Sequence, residues 1–155
     1  MRASDRIQAG SILSQMGGQL LAPGEHLSVK AILLRVMLCI ATHGKMQIYC
    51  VYNDGLVHTS YLVPKCAKFT FLHEDNYEIG PCYTAQEHRG KGIYPAVLCS
   101  ICSEVGNEES KFFMIVDESN KSSIRGIEKA SFVMCGQVKV NRFTKRYSAE
   151  LLDES

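Results

Sequence analysis

No charge of one sign dominates this chain: 17 lysines and arginines stand against 16 aspartates and glutamates, for a net charge of +1. A bulk basic field that would draw the protein onto nucleic acid or acidic lipid is missing, so neither nucleic acid nor membrane is an expected partner. A membrane-spanning run is missing too. The most apolar stretch, Leu27 to Ala41, is too short for a bilayer and carries Lys30 and Arg35. The opening residues hold no compact apolar segment followed by a small-residue cleavage site, so no secretory leader is expected. Metal-ligand spacing is also absent. The seven cysteines are scattered, and the one close pair, Cys99 and Cys102, has no second pair or histidine pair to complete a zinc site. A redox pair would open a helix, whereas this one falls inside an expected helix. The cysteines are read as reduced, small core residues of a cytoplasmic protein, with no metal.

What is present suits one domain. The chain has 155 residues, of which 46% are hydrophobic and 21% charged, enough to bury a core without staples. Residues 1–24 hold Gly10, Gly17, Gly18, Pro23 and Gly24, which leave room for short helical turns at most. From His26 to Thr42 the residues Val29, Ile32, Leu33, Val36, Met37 and Ile40 recur at helical spacing, which reads as one face of a helix, and Gly44 ends the helix. The period then changes to strands: Lys45 to Tyr52, a turn at Asn53-Asp54-Gly55, and Leu56 to Val63. Phe69 to Leu72 reads as a short extended run, and Tyr77 to Thr84 as a further strand. A polar loop, Ala85 to Gly92, leads into a helix from Tyr94 to Val105, with Pro95 in its first turn. Phe112 to Val116 reads as a short buried strand, and Asn120 to Ala130 as a helix capped by Asn120. Phe132 to Val140 and Arg142 to Tyr147 form an expected closing pair, before an acidic, frayed tail. The class is mixed α/β, with one central sheet flanked by helices.

Chemistry concentrates between Tyr77 and Tyr94. A strand runs into a loop carrying Gly90 and Gly92, and a helix starts directly after it. Turned backbone amides and the positive end of the helix dipole make such a junction a cradle for a phosphate or diphosphate. Nucleoside-triphosphate loops need a Lys-Ser/Thr pair, but Lys91 is followed by Gly92. Dinucleotide loops need a third glycine, and Ala96 to Cys99 holds none.

Two motifs in order carry a resemblance. Arg89-Gly90-Lys91-Gly92-Ile93 lies between strand and helix. Further on come the strand Phe112 to Val116, then Asn120, then Lys129-Ala130-Ser131-Phe132. On these motifs residues 45–140 resemble the GNAT superfamily of acyl-CoA-dependent N-acyltransferases. The resemblance implies a mostly antiparallel sheet splayed between the two motif strands. It implies a single acyltransferase domain over 1–155, with an N-terminal helical part (1–44), a core (45–147) and a tail (148–155).

The resemblance also implies acetyl-CoA as co-substrate and acetyl transfer to a primary amine of a small molecule, by direct attack through a tetrahedral intermediate. The diphosphate would sit on Arg89, Gly90, Lys91, Gly92, Ile93 and Tyr94. The pantetheine arm would run along Cys82, Tyr83 and Thr84, where a main-chain N–H would hold the developing oxyanion, and would meet Asn120 and Ser123. Glu78, eleven residues before Arg89, is the candidate base, and the period of two places Glu78, Gly80, Cys82 and Thr84 on one face. Gly80 would leave room for the acceptor. His58, His73, Glu74 and Asp117 are weaker candidates, the histidines read as surface groups. Lys121 and Arg125 could reach a 3′-phosphate or simply be solvated. Cys82 as a nucleophile lacks a histidine partner in the linear sequence.

Two departures from the family pattern stand out. Tyr94 replaces a small residue, so its bulk must point away from the diphosphate. Ile127 stands where a tyrosine often protonates the leaving thiolate, so another group or water must serve. A non-catalytic acyl-CoA-binding module and a peptide or protein N-acetyltransferase are the alternative readings. An apolar N-terminal helix leaves room for a homodimer.

Overall fold

The computed structural model describes residues 13–17 and 29–151. In chain order these form β1 (Leu13–Gly17), α1 (Val29–Ala41), β2 (Gln47–Tyr52), β3 (Leu56–Pro64), β4 (Asn76–Thr84), α2 (Ile93–Val105), β5 (Lys111–Phe113), α3 (Lys121–Lys129), β6 (Gly136–Val140) and β7 (Tyr147–Leu151). The five strands β1 to β5 lie side by side in chain order, and β6 pairs with β7 in a separate two-stranded sheet. All neighbours are antiparallel except β4 and β5, which run parallel.

Helices cover both faces of this sheet. On one face Leu38 of α1 joins Met46, Ile48, Cys50, Tyr61 and Val63. On the other, Ile93, Val97, Leu98 and Ile101 of α2 pack on Tyr49, Val51, Leu62 and Ile79. The central residues of β2 and β3 are buried without a break, as two-sided burial demands. Each such aliphatic side chain contributes about 1.5–3 kcal/mol on leaving water.

Local chemistry explains the joints. The β2–β3 turn places Asp54 at φ 53° and Gly55 at φ 146°, the positive values that this residue pair tolerates. The end of α1 is closed by a hydrogen bond from the Gly44 N–H to the Cys39 carbonyl (2.8 Å), with Gly44 at φ 76°. At the start of α3 the Asn120 Oδ1 accepts the Ser123 N–H at 3.2 Å, an N-cap as expected.

Several expectations are corrected. Leu13–Gly17 is a strand paired with β2, not a helical turn; the rest of 1–24 lies outside the described residues. The apolar face of α1 is largely exposed: Val29, Leu33, Met37 and Ile40 face solvent, while Arg35 and Leu38 are buried, as is Thr42 just past the helix. Arg35 can turn inward because its guanidinium lies 4.2 Å from the Tyr61 ring centre. Phe69 to Leu72 is a turn with one bridge, Phe69 to Tyr147, rather than an extended run. β5 stops at Phe113, three residues short of expectation. The closing strands sit further along the chain. Asn141 builds the turn between them, and Tyr147–Leu151, expected to lie largely in the frayed tail, is β7. Cys50 and Cys66 are core residues as read, but Cys99 and Cys135 are exposed. No helix among the described residues is long and apolar enough to cross a membrane, and none of their side chains form a group able to hold a metal ion.

Candidate functional site

The site begins where β4 and β5 part. They pair at only three positions, Asn76 with Lys111, Tyr77 with Phe112 and Glu78 with Phe113. The apex is pinned by the Asn76 Oδ1, which accepts the Lys111 N–H at 3.2 Å, and by the stacked rings of Tyr77 and Phe112, 5.5 Å apart. Beyond it β4 continues to Thr84 while β5 has ended. Among the described residues the edge of β4 facing away from β3 is therefore left without a strand partner from Ile79 to Thr84. This splayed sheet is the one expected from the motif strands.

A bulge rearranges the faces of β4. Between the pairs Leu62–Ile79 and Ser60–Cys82, β3 advances two residues and β4 advances three. The extra residue reverses the alternation of side chains. Glu78, opposite Val63, faces the α1 side, whereas Cys82 and Thr84 join Ser60 and His58 on the α2 side. The expectation of one shared face for Glu78, Gly80, Cys82 and Thr84 is thus corrected: a period of two holds only in an unbroken ladder.

Glu78 is 6% exposed. Burial pushes its carboxyl up from 4.5 to about 8, with Lys68 pulling weakly the other way. The carboxyl folds over its neighbour: a Cβ on Gly80 would lie 2.6 Å from Glu78 Oε1. The space beside Gly80, expected to receive the acceptor, is occupied by the carboxyl itself.

On the α2 side a chain of polar groups is enclosed. The His58 Nδ1 lies 2.7 Å from Thr84 Oγ1 and its Nε2 2.8 Å from Ser60 Oγ. The Ser60 hydroxyl donates to the Cys82 Sγ at 3.2 Å. With the Ser60 hydroxyl donating to sulfur, its oxygen accepts from Nε2–H, and Nδ1 accepts the Thr84 hydroxyl, which assigns one tautomer. His58 is fully buried, not a surface residue, and burial pushes it down to about 4. Cys82 is pushed up to about 12 by burial, so it rests as a thiol and makes a poor nucleophile despite its serine partner.

Tyr94 completes this side. Its ring packs on α3 at Gly126, where a Cβ would lie 2.6 Å from Tyr94 Cδ1, and it stands 5.8 Å from the His58 ring. Its hydroxyl lies 4.0 Å from the Met114 Sδ, with the Cys82 side chain close enough to act on its pKa. Cys82 is on β4 and Met114 directly follows β5, so the hydroxyl stands in the gap between the two strands. Burial, with Cys82 and Glu78 nearby, raises its pKa above the ordinary phenol value. Ser60 is the member of this group that sequence reasoning missed; Tyr94 was named for the diphosphate loop and His58 as a weaker base candidate, neither for a side chain beside the gap. The legible signal for Ser60 was its place two residues after His58, on the same face of β3.

The loop ahead of α2 carries the second half of the site. Gly90 and Gly92 have φ of 75° and 80°, left-handed values that suit glycine. Among the described residues the N–H groups of Gly90, Lys91 and Gly92 have no backbone partner, and those of Ile93 and Tyr94 open the helix. The Arg89 Nε donates to the Thr84 carbonyl at 3.0 Å, which ties the loop to the end of β4. Tyr83 is exposed on the opposite face, with the Arg89 guanidinium 5.9 Å from its ring centre.

The remaining candidates fall elsewhere or serve locally. Asn120 and Ser123 form the α3 cap. Glu74 is held by Lys65 at 2.7 Å, and the Asp117 carboxylate accepts the Ser119 N–H. His73, Lys121 and Arg125 are exposed.

An antiparallel sheet ending in a parallel, splayed strand pair, with a glycine loop and helix at the open end, is the fold of the GNAT acetyltransferases. Solved structures of that fold superpose on this chain. One is a protein from Agrobacterium tumefaciens strain C58 named as an acetyltransferase, with TM-score 0.57, 15% identity, and 84% of this chain and 98% of that chain covered. One from Bordetella pertussis, named as a GnaT-family acetyltransferase, gives TM-score 0.56 and 12% identity over 90% and 93%. One from Clostridium acetobutylicum, named as an acetyltransferase and solved with acetyl-CoA, gives TM-score 0.54 and 11% identity over 84% and 96%. No family model and no curated protein sequence matches the chain.

Proposed function

We propose that this protein transfers an acetyl group from acetyl-CoA to a primary amine of a small molecule. The observation that carries the reading is the gap between β4 and β5, with Glu78 on one side of the sheet and the Tyr94 hydroxyl standing in the gap from the other. Two features fit the co-substrate. The left-handed Gly90 and Gly92, with partnerless amides at the start of α2, suit a diphosphate. The unpaired edge of β4 suits an arm rich in amides, taken up like an added strand.

Bound acetyl-CoA supplies an acetyl group activated as a thioester. The protein does the rest. The amides from Gly90 to Tyr94 hold the diphosphate. A free main-chain N–H of β4 near Cys82 polarises the acetyl carbonyl, a donor worth roughly 3 kcal/mol at the transition state. Glu78, with a pKa near 8, is matched to removing a proton from an ammonium group and leaving a neutral amine to attack. As the C–S bond breaks, Tyr94 gives its hydroxyl proton to the departing sulfur, the attacking nitrogen sheds its second proton to solvent, and Tyr94 recovers one from solvent, taking the role that Ile127 cannot fill. The bulge divides the work, since base and acid approach the slot from opposite sides of one strand. Thr84, His58 and Ser60 fix the position of Cys82, against which the Tyr94 hydroxyl rests.

The test is thiol release on incubation with acetyl-CoA and a panel of small amines and amino-terminal peptides, with calorimetry for CoA. Release with small amines supports the reading. Release with peptides alone moves the acceptor to proteins. Heat of CoA binding without release from any amine defines a binding module, and neither binding nor release refutes the proposal.

A further inference from the structure

The near-zero charge of the whole chain conceals a local asymmetry. Between Gly136 and Ala149 the sequence holds Lys139, Arg142, Lys145 and Arg146 and no acidic residue. Lys139 is paired with Glu150 across the hairpin. Arg142, Lys145 and Arg146 are exposed and make no ion pair among the described residues.

The turn that carries them is built. The Asn141 Oδ1 accepts the N–H groups of Phe143 and Thr144, each at 2.9 Å. Asn141 also receives the Lys145 N–H on its carbonyl and donates its own N–H to the Arg146 carbonyl, both at 2.9 Å. In the turn Phe143 is 96% exposed, and Val140, the last residue of β6, is 48% exposed. The hairpin is a sheet of its own and is anchored where the turn rejoins β7: the Tyr147 N–H donates to the Lys68 carbonyl at 2.7 Å and the Thr70 N–H donates to the Tyr147 carbonyl at 3.0 Å, which leaves the exposed residues 141–146 beyond the anchor.

We propose that the β6–β7 turn is a docking point for an anionic lipid surface. Phe143 enters the headgroup layer with Val140, and Arg142, Lys145 and Arg146 meet lipid phosphates and carboxylates around it. Charge complementarity fixes the sign of the partner. The shape chooses among anionic partners. A protruding tip with one aromatic and one aliphatic residue suits insertion into a soft layer, whereas a nucleic-acid strand needs a groove that follows its backbone. The proposal does not depend on the acetyl-transfer reading.

The full chain is sedimented with phosphatidylcholine vesicles, with phosphatidylcholine–phosphatidylserine vesicles, and at low and raised salt. Single-stranded RNA is run alongside by fluorescence anisotropy. Binding is expected only to the phosphatidylserine vesicles, weakening with salt. Each substitution Arg142→Gln, Lys145→Gln or Arg146→Gln should weaken it about fivefold, and Phe143→Ser about tenfold. These positions are exposed, so the variants should melt with the wild type, which separates lost docking from lost folding. Binding to RNA but not to vesicles, equal binding to both vesicle types, no vesicle binding, or binding indifferent to Phe143→Ser would each overturn the proposal.

Discussion

Replacing Glu78 by glutamine should make the protein more stable and less active at the same time. The carboxyl is buried, and its pKa rises from 4.5 to about 8 on folding. Between those two values the folded protein holds a proton that the unfolded chain has released. Stability therefore falls as pH rises through this window. At 1.36 kcal/mol per pH unit, the full loss approaches roughly 4–5 kcal/mol above pH 8, a large part of an ordinary domain's stability. Glutamine keeps the shape and removes the ionisation. Urea denaturation of both proteins at pH 5, 7 and 9 measures the difference. The two should be close at pH 5, and the glutamine variant ahead by a few kcal/mol at pH 9. In the acetyl-transfer assay the same variant should lose about 10²–10⁴-fold in kcat and keep its affinity for CoA. Parallel stability curves for the two proteins would refute the buried, protonated carboxyl, and an unchanged kcat would refute its role as base.

Three further outcomes are expected. Tyr94→Phe should lower kcat about 10²-fold while CoA affinity by calorimetry stays within twofold, since only the hydroxyl is removed. Gly126→Ala should cost about 1–3 kcal/mol in chemical denaturation, because its Cβ would meet Tyr94 Cδ1 at 2.6 Å, and pairing it with Tyr94→Ala should remove most of that further loss. His58, held near 4 against an ordinary 6.5, leaves the folded state without a proton that the unfolded chain binds, so stability should fall by roughly 3 kcal/mol as pH drops across that interval; the decline should vanish in a His58→Gln variant that still folds.

Short-range chemistry made much of this molecule legible. Asn53-Asp54-Gly55 announces its turn, Asn120 its cap, and Gly90 and Gly92 the loop that opens α2, because each depends on the φ preference or side-chain reach of a few neighbours. What depends on distant partners was not legible. Nothing near Arg35 in sequence shows that Tyr61 receives its guanidinium and turns α1 about its axis. The bulge that separates Glu78 from Cys82 exists only in the pairing of β3 with β4, so a strict alternation put them on one face. Tyr94 was read as pointing away from a bound diphosphate; its ring lies against Gly126 of α3. Its destination in the gap was set by Gly126, thirty-two residues further on.

The single surplus residue in β4 acts as a partition. It lets one strand address two chemical compartments, a carboxyl chamber beneath the sheet and a thiol–imidazole chamber above it, without a second element being recruited. Deleting one residue at Gly80 or Pro81 would restore a regular ladder and leave the carboxyl and the thiol on opposite faces, three positions apart instead of four. What the irregularity sets is therefore the spacing between the chambers along the strand, and a tidier sheet would draw them closer together.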